Sequence, residues 1–233
     1  MSRYATRSGQ AEMMDDLTCS GPVVRRTLRE LEVINARLGG NRVTLDGVRE
    51  LVKSVPPHPL TLADLGCGGG DIARMLLCEF ERTGQAITVT GVDANPEIVA
   101  IAAEHHGDRI HFVAMDIFSE EFRCMEFDIV TATLFFHHFT SEQLVGFIKQ
   151  LLTQVKVGVV INDIHRHWLA YHSIRILTGV FSRSPMVRHD APVSVMRAFT
   201  RKELKEILDA AGATDYTIRW RWAFRWQVVI RVA

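Results

Sequence analysis

The sequence predicts an α/β fold: a mostly parallel sheet of seven strands with helices on both faces. Three observations carry this reading. From Leu60 onward, runs rich in Val, Ile and Leu alternate with segments of helical apolar period, the order a parallel sheet requires. The stretch LADLGCGGGDIA, Leu62 to Ala73, passes from an apolar strand through Gly66, Gly68 and Gly70 into a helix. Such a turn lets a parallel sheet bring its backbone close to a nucleotide-like ligand. Acids stand at or just past three successive strand ends, Asp64, Asp93 and Asp116, the last two 23 residues apart, which is one strand–helix unit.

The chain in order supports each element. Residues 1 to 22 mix polar residues and glycine without a period, as expected of a segment that is disordered or folds over a ligand. Val24, Leu28, Leu31, Ile34 and Leu38 recur at helical spacing before Gly39-Gly40, and a shorter helix covers Val43 to Val52. Pro56, Pro57 and Pro59 then separate residues 1–59, read as a helical arm or lid, from a core of residues 60–233. The first strand is Thr61 to Leu65, the second 86–93, the third 110–115, the fourth 127–135 and the fifth 155–163. Asn95 with Pro96 marks a helix start, and Thr140/Gln143 and Thr200/Glu203 read as capping boxes. Residues 164–199 form an insert after the fifth strand, with a helix from Trp168 to Phe181 and a polar loop through Ser184, Pro185, His189 and Pro192. The last stretch, Asp215 to Ala233, reads as two tightly joined strands that add an antiparallel edge. In RWRWAFRW, alternation would place Trp220, Trp222, Phe224 and Trp226 on one face and Arg219, Arg221 and Arg225 on the other.

Composition bounds the function. A chain of 233 residues suits one domain, and a formal charge of zero gives no global field toward nucleic acid or membrane. The charge is unevenly spread: residues 1–164 hold 15 basic and 22 acidic side chains, and residues 165–233 hold 12 and 5. We read this basic tail as a solvated surface before an attractor of acidic acceptors. Cys19, Cys67, Cys78 and Cys124 lack C-x-x-C spacing and fit reduced thiols in the cytoplasm. No apolar run approaches the roughly 18–20 residues of a membrane span, so no integral membrane association is expected.

At this point the residues resemble a known family. DLGCGGG, Asp93 and MDIF at 115–118 resemble the class I S-adenosylmethionine-dependent methyltransferases, in particular the small-molecule enzymes similar to ubiquinone and menaquinone biosynthesis methyltransferases. The resemblance implies a Rossmann-like sheet and S-adenosyl-L-methionine as cofactor. It places Gly66, Cys67 and Gly68 against the methionine part and Asp93 on the ribose hydroxyls. Ala94 and Asn95 would flank the adenine, Asp116 would meet its amino group, and Met115 and Ile117 would add backbone and apolar contact. Leu134, in LFFHHF, would reach the methionine end. Asp64 is expected to orient the loop backbone. Asp71 stands where a G-x-G-x-x-G dinucleotide loop counted from Gly66 needs Gly or Ala, which counts against a nicotinamide cofactor.

The acceptor side is read from the later strand ends. Methyl transfer to a hydroxyl is helped by a base, and His165 is the candidate, with Asp163 or His138 as its orienting partner. His137 or His138 packing beneath the loop is the plainer reading. A metal at Asp163, His165 and His167 is the alternative use of that segment, but no metal is assigned. The place of the Asp/Asn-Pro-Pro-aromatic motif of base and amide methyltransferases reads LFFHHF, and no RNA-binding appendage precedes the core, so no nucleic-acid partner is expected. The insert's apolar stripe, Trp168, Leu169, Tyr171, Ile174, Leu177 and Phe181, is core packing or a pocket for a greasy acceptor. The expected acceptor is a small hydrophobic molecule, phenolic, quinol-like or polyketide-derived, methylated at oxygen before carbon. A cofactor-binding module without turnover and a nicotinamide-dependent oxidoreductase remain as other readings.

Overall fold

A computed structural model describes residues 3–232 apart from 54 and 57, so Pro57 and Ala233 lie outside the described residues. Seven strands form one sheet: β1 (Leu60–Leu65), β2 (Ile87–Asp93), β3 (His111–Ala114), β4 (Phe127–Thr133), β5 (Val155–Ile164), β6 (Tyr216–Arg221) and β7 (Arg225–Arg231). Their order is β3-β2-β1-β4-β5-β7-β6. The first five are parallel, and β7 runs antiparallel between β5 and β6. The order reverses at β1, which pairs with both β2 and β4. Ligands of open α/β sheets bind beyond the strand ends at such a switch point.

Strand alternation sorts the core into two layers. Leu60, Leu62, Ile129, Val160 and Val229 face α2 (Gly40–Val52) and α3 (Asp71–Thr83) through Val48, Leu51, Leu76 and Phe80. Ala63, Val130, Val159, Ile161 and Val228 face α6 (Ser141–Gln154) and α9 (Arg201–Ala210) through Phe147, Leu151, Leu204 and Ile207. Every residue of β4 is buried, as a central parallel strand requires. Caps set the helix starts. Asn95 Oδ1 accepts from Glu97 and Ile98 N at the start of α4 (Pro96–His106), and both capping boxes close as expected.

Five features differ from the sequence reading. β4 stops at Thr133, because Leu134 has φ +54° and turns its N–H to Asn162 O at 2.8 Å. A short helix, α5 (Glu120–Arg123), was not foreseen; Ser119 caps it and it buries Phe122. α2 is part of the sandwich layer: a Cβ on Gly47 would stand 2.6 Å from Val160 Cγ1, so this helix lies directly on the sheet. α1 (Gly21–Arg37), by contrast, packs on α4 through Val24, Leu28, Ile98 and Ile101 and borders the switch point. The expected polar loop is a helix, α8 (Pro185–Arg197), packed on α7 (Trp168–Phe181). Ser184 caps it and Pro185 takes its first position. Pro192 sits inside, and buried residues surround the helix, so no single apolar face appears in the sequence. In RWRWAFRW the strand pattern breaks at a turn over residues 222–224. Trp220 pairs with the buried Trp226, but Trp222 projects to solvent.

Part of the basic tail is paired, within the tail or with acids from the N-terminal half. Arg166 pairs with Glu203, Arg197 with Asp15, Arg219 with Glu50 and Arg221 with Asp46. A close approach tests the layering. A Cβ on Gly158 would fall 2.3 Å from Ile230 O and 2.8 Å from Leu51 Cδ2. Gly158→Ala should therefore lower unfolding stability by about 1–3 kcal/mol. Gly179→Ala, on the open side of α7 with nothing within 4 Å, should raise it by up to ~1 kcal/mol. Urea unfolding of both variants checks this, and equal effects would refute the packing assigned to Gly158.

Candidate active site

One cavity of about 650 Å³ opens beyond the carboxyl ends of β1, β2 and β4. Its first wall is the glycine turn. Gly66 has φ +62°, and a Cβ there would stand 2.2 Å from the Phe135 ring, so only glycine lets the β4 exit close on the loop. Gly68 also has positive φ, and a Cβ there would meet only Leu28 at 3.7 Å, which leaves its backbone open to the cavity. Cys67 is buried, and burial pushes its thiol well above its ordinary pKa, so it is a packing residue and not a nucleophile.

The three acids behave differently. Asp93 Oδ2 accepts from Gly68 N at 3.2 Å and Oδ1 from Asn95 N at 3.0 Å, leaving lone pairs on both oxygens for a ligand. Burial raises its pKa despite those two bonds. Asp116 is exposed at the rim, with Oδ1 accepting from Phe118 N at 2.9 Å. Asp64 is buried, and burial lifts it to about 7. Its hydrogen bond comes from Thr131 Oγ1 at 2.8 Å, so it is tied to β4 and not, as expected, to the loop backbone. Asp71 opens α3 and accepts from Asn41 Nδ2 at 3.3 Å. Asn95 spends its side chain on the α4 cap and on Cys19 O. All of these line the cavity with Ala94, Met115, Ile117 and Leu134, so the structure brings the whole predicted cofactor set together.

The far wall is built from groups distant in sequence. Just past β4, His137 Nδ1 meets Asp163 Oδ1 at 2.8 Å, and its Nε2 lies 3.5 Å from Glu12 Oε1. All three side chains are buried. Burial works against a charge on His137, but the two carboxylates outweigh it and hold its pKa at about 9. At neutral pH the group is an imidazolium between two carboxylates. The adjacent His138 Nδ1 meets Asp15 Oδ1 at 2.6 Å. Burial opposes ionisation of Asp15, yet His138 and Arg197 keep it well below the usual carboxylate range. An ionised Asp15 can only accept, so Nδ1 of His138 carries a proton, and Nε2 is the ring atom left for a lone pair.

Glu12, Asp15 and their neighbours come from the unpatterned N-terminal segment, which forms a strap over the cavity. Arg7 donates to the carbonyls of His137, Phe139 and Arg197, and Ser8 N to Met196 O. Asp190 of α8 accepts from Met13 N and Met14 N, and Ser194 donates to Glu12 Oε2 at 2.8 Å. No short-range pattern announces these pairings, which span more than 120 residues. The only sequence signal was the His137-His138 pair itself.

Three expectations fail here. His165 does not line the cavity; its ring lies against Trp226 (4.8 Å between centroids) and His167 (5.4 Å). Asp163, the last inward position of β5, orients His137 and not His165. The alternative metal set of Asp163, His165 and His167 does not converge. Among the described residues the one group with metal-ligand spacing is Glu12, His137 and His138, one atom from each within 4.8 Å, and its charges are already met by the ion network. The stripe of α7 does not reach the cavity; α8 does, through Val187, Asp190, Ala191 and Ser194.

Comparison with known proteins gives the family. Residues 62–158 match a family model described as a methyltransferase domain. Those residues carry a methyltransferase domain, of the class I S-adenosylmethionine-dependent kind. The chain is 39% identical over 70 residues to trans-aconitate 2-methyltransferase of Streptomyces avermitilis, a match covering 28% of this chain and 24% of that protein. The chain therefore spans about a quarter of this curated relative. Among solved structures, the fold resembles the plantazolicin methyltransferase BpumL in complex with SAH, with a TM-score of 0.64 and 16% identity over 91% of this chain and 100% of that one. It also resembles human N-acetylserotonin methyltransferase in complex with SAM, with the same TM-score and identity over 91% of this chain and 56% of that one.

The charge on His137 makes stability depend on pH. A His with a raised folded pKa stabilises fully below its unfolded value, near 6.5, and loses that contribution as pH rises through about 9. The domain should lose about 2–3 kcal/mol between pH 6 and pH 10 from this source. Asp163→Asn should flatten that slope, as followed by urea midpoints across the range; an unchanged slope would show that His137 is not charged.

Proposed function

We propose that the chain transfers the methyl group of S-adenosylmethionine to a hydroxyl of a small, largely apolar acceptor. The observation that carries this reading is a single cavity joining the glycine turn and Asp93 at one end to His138 at the other. Gly66 and Gly68 would accept the methionine part on open backbone, Asp93 the ribose hydroxyls through its free lone pairs, and Asp116, Met115 and Ile117 the adenine. Bound there, the cofactor supplies a methyl group on a sulfonium, electrophilic without further activation.

What remains for the protein is to place the acceptor oxygen and receive its proton. His138 is the better base than His165, because its Nε2 lone pair is fixed by the Asp15 contact at Nδ1 and its ring borders the cavity. Asp15 is a positioning residue in this scheme, held in turn by Arg197. His137, charged and enclosed by Asp163 and Glu12, holds the strap and shapes the wall instead. Phe135, Phe139, Ile164 and Val187 give the cavity apolar surface for a phenolic, quinol-like or polyketide-derived body. A tricarboxylate of the aconitate kind is disfavoured, since Glu12, Asp15 and Asp190 face the cavity and Arg197 is already paired.

Calorimetry with S-adenosylmethionine, followed by incubation of the protein with labelled donor and an extract of host metabolites, tests the proposal. Absence of donor binding would refute it. Asp93→Ala should weaken donor binding by about 100-fold, the loss of two charged hydrogen bonds. His138→Ala should leave donor affinity unchanged and slow transfer by roughly 10²–10⁴. Unaltered turnover in that variant would remove His138 as base.

A further inference from the structure

Helix α7 is amphipathic in the wrong sense for a core helix. Its inner side buries Ala170, Tyr171 and Thr178, whereas Trp168, Leu169, Ile176, Val180 and Phe181 are 42–78% exposed. The positions 168, 172, 176 and 180 follow one another at helical i+4 spacing, so Trp168, Ile176 and Val180 form one outward stripe. That stripe continues onto the β6–β7 turn. Trp168 contacts His167 (5.8 Å between centroids), His167 stacks on Phe224 (5.5 Å, 19°), and Phe224 meets Trp220 (6.2 Å). Trp222, at the tip of the turn, is 71% exposed. A contiguous apolar surface of this kind marks an interaction site.

Charge selects the occupant. Residues 164–199 contain a single acid, Asp190, and it is buried on the side of α8 that faces the strap. Arg175, Arg183 and Arg188 of the same insert are exposed. Arg175 and Arg183 make no ion pair among the described residues, and Arg188 spends its guanidinium on Ser182 O. The Glu30 carboxylate reaches this segment from α1 but accepts from Ser182 Oγ and from Arg183 and Ser184 N, not from a guanidinium, so the apolar stripe is bordered by three exposed arginines against that one acid. A second copy docking by two-fold symmetry would set these cations against themselves. Exposed Trp and branched aliphatic side chains beside unpaired arginines match the boundary of an anionic bilayer, where indole rings sit at headgroup level and each nearby Arg adds about 1 kcal/mol.

We propose that α7 and the β6–β7 turn form a surface that docks the protein peripherally on an anionic membrane, with α7 lying in the headgroup plane. Nothing crosses the bilayer: among the described residues no helix is long and apolar enough to do so. The inference rests on this surface alone and stands apart from the proposed reaction.

Flotation of the full chain with vesicles tests it, using phosphatidylcholine alone and phosphatidylcholine with roughly one third phosphatidylglycerol. The protein should float with the anionic vesicles, with a blue shift of Trp emission, and should be released at about 0.5 M salt. Ile176→Glu/Val180→Glu and Trp222→Ser should each cut the partition coefficient at least tenfold, and Arg175→Glu/Arg183→Glu should abolish the preference for anionic lipid. These positions lie outside the cavity, so unchanged melting and unchanged binding of S-adenosylhomocysteine would show that the variants are folded. Absence of flotation of the parent chain, or equal binding to both vesicle types, would overturn the proposal. A concentration-dependent dimer in sedimentation that Ile176→Glu/Val180→Glu dissolves, without vesicle binding, would assign the surface to a second copy instead.

Discussion

The imidazolium of His137, enclosed between Asp163 and Glu12, is the interaction on which the acceptor half of the cavity depends. Asp163 is at the end of β5, His137 just past β4, and Glu12 in the N-terminal strap. One buried cation therefore joins two central strands to the segment that covers them. Burying a charge is costly unless it is paired, and removing one partner of such a network costs about 3–5 kcal/mol because the remaining charge is stranded. The strap has little apolar surface of its own, so its ordering rests on this ion, on Arg7 against three carbonyls and on Asp190 against two amides. Those contacts bring Asp15 to His138, and through that pair the tautomer of the cavity-facing histidine is set.

That the residues expected at the cofactor would share one cavity was legible in the sequence, because their placement is local. Gly66, Gly68, Asp93 and Asp116 each sit at the end of a strand whose apolar run announces it, and a parallel sheet places those ends side by side without further instruction. Asn95 with Pro96 and the two capping boxes were legible for the same reason, since a cap and the amides it satisfies lie within three residues. The central strands followed from short apolar runs alternating with helical segments, and alternation served only for the C-terminal pair. The position of β7 between β5 and β6 did not, because hairpin pairing says that β6 and β7 are neighbours but not which of them docks.

The failures share a physical cause. The α8 segment carries Pro192 and no single apolar face, because the helix is wedged between α7, the strap and α1 and is buried from Asp190 onward on nearly every side, with Pro185, Arg188 and His189 exposed in its first turns. A helix of this kind has no period to detect. α2 was grouped with an arm because prolines follow it, yet Gly47 and Val48 let it sit directly on Val160 and Val229. His165 was chosen as base by proximity to the end of β5, and strand alternation would put it on the same face as Asp163, two residues earlier. But β5 ends at Ile164, and past that end His165 bridges to Phe199 and lies against Trp226, while Asp163 is turned toward His137. The end of the strand, which alternation does not report, decided between a base and a packing residue.

The same division explains why a family is easier to infer than an acceptor. In the proposed reading the donor would be held by backbone and by acids fixed to the sheet, so the constraint on sequence is concentrated in a few short motifs. The acceptor wall is assembled from the strap, the β4 exit and α8, each of which contributes one or two side chains and is held by long-range polar contacts. Such a wall can change its lining without disturbing a single strand. Under the proposed function those lining residues, and not the glycine turn, would select the acceptor. Among the described residues that line it the cavity has carboxylates and His138 at one place, much apolar surface, and no lysine or arginine.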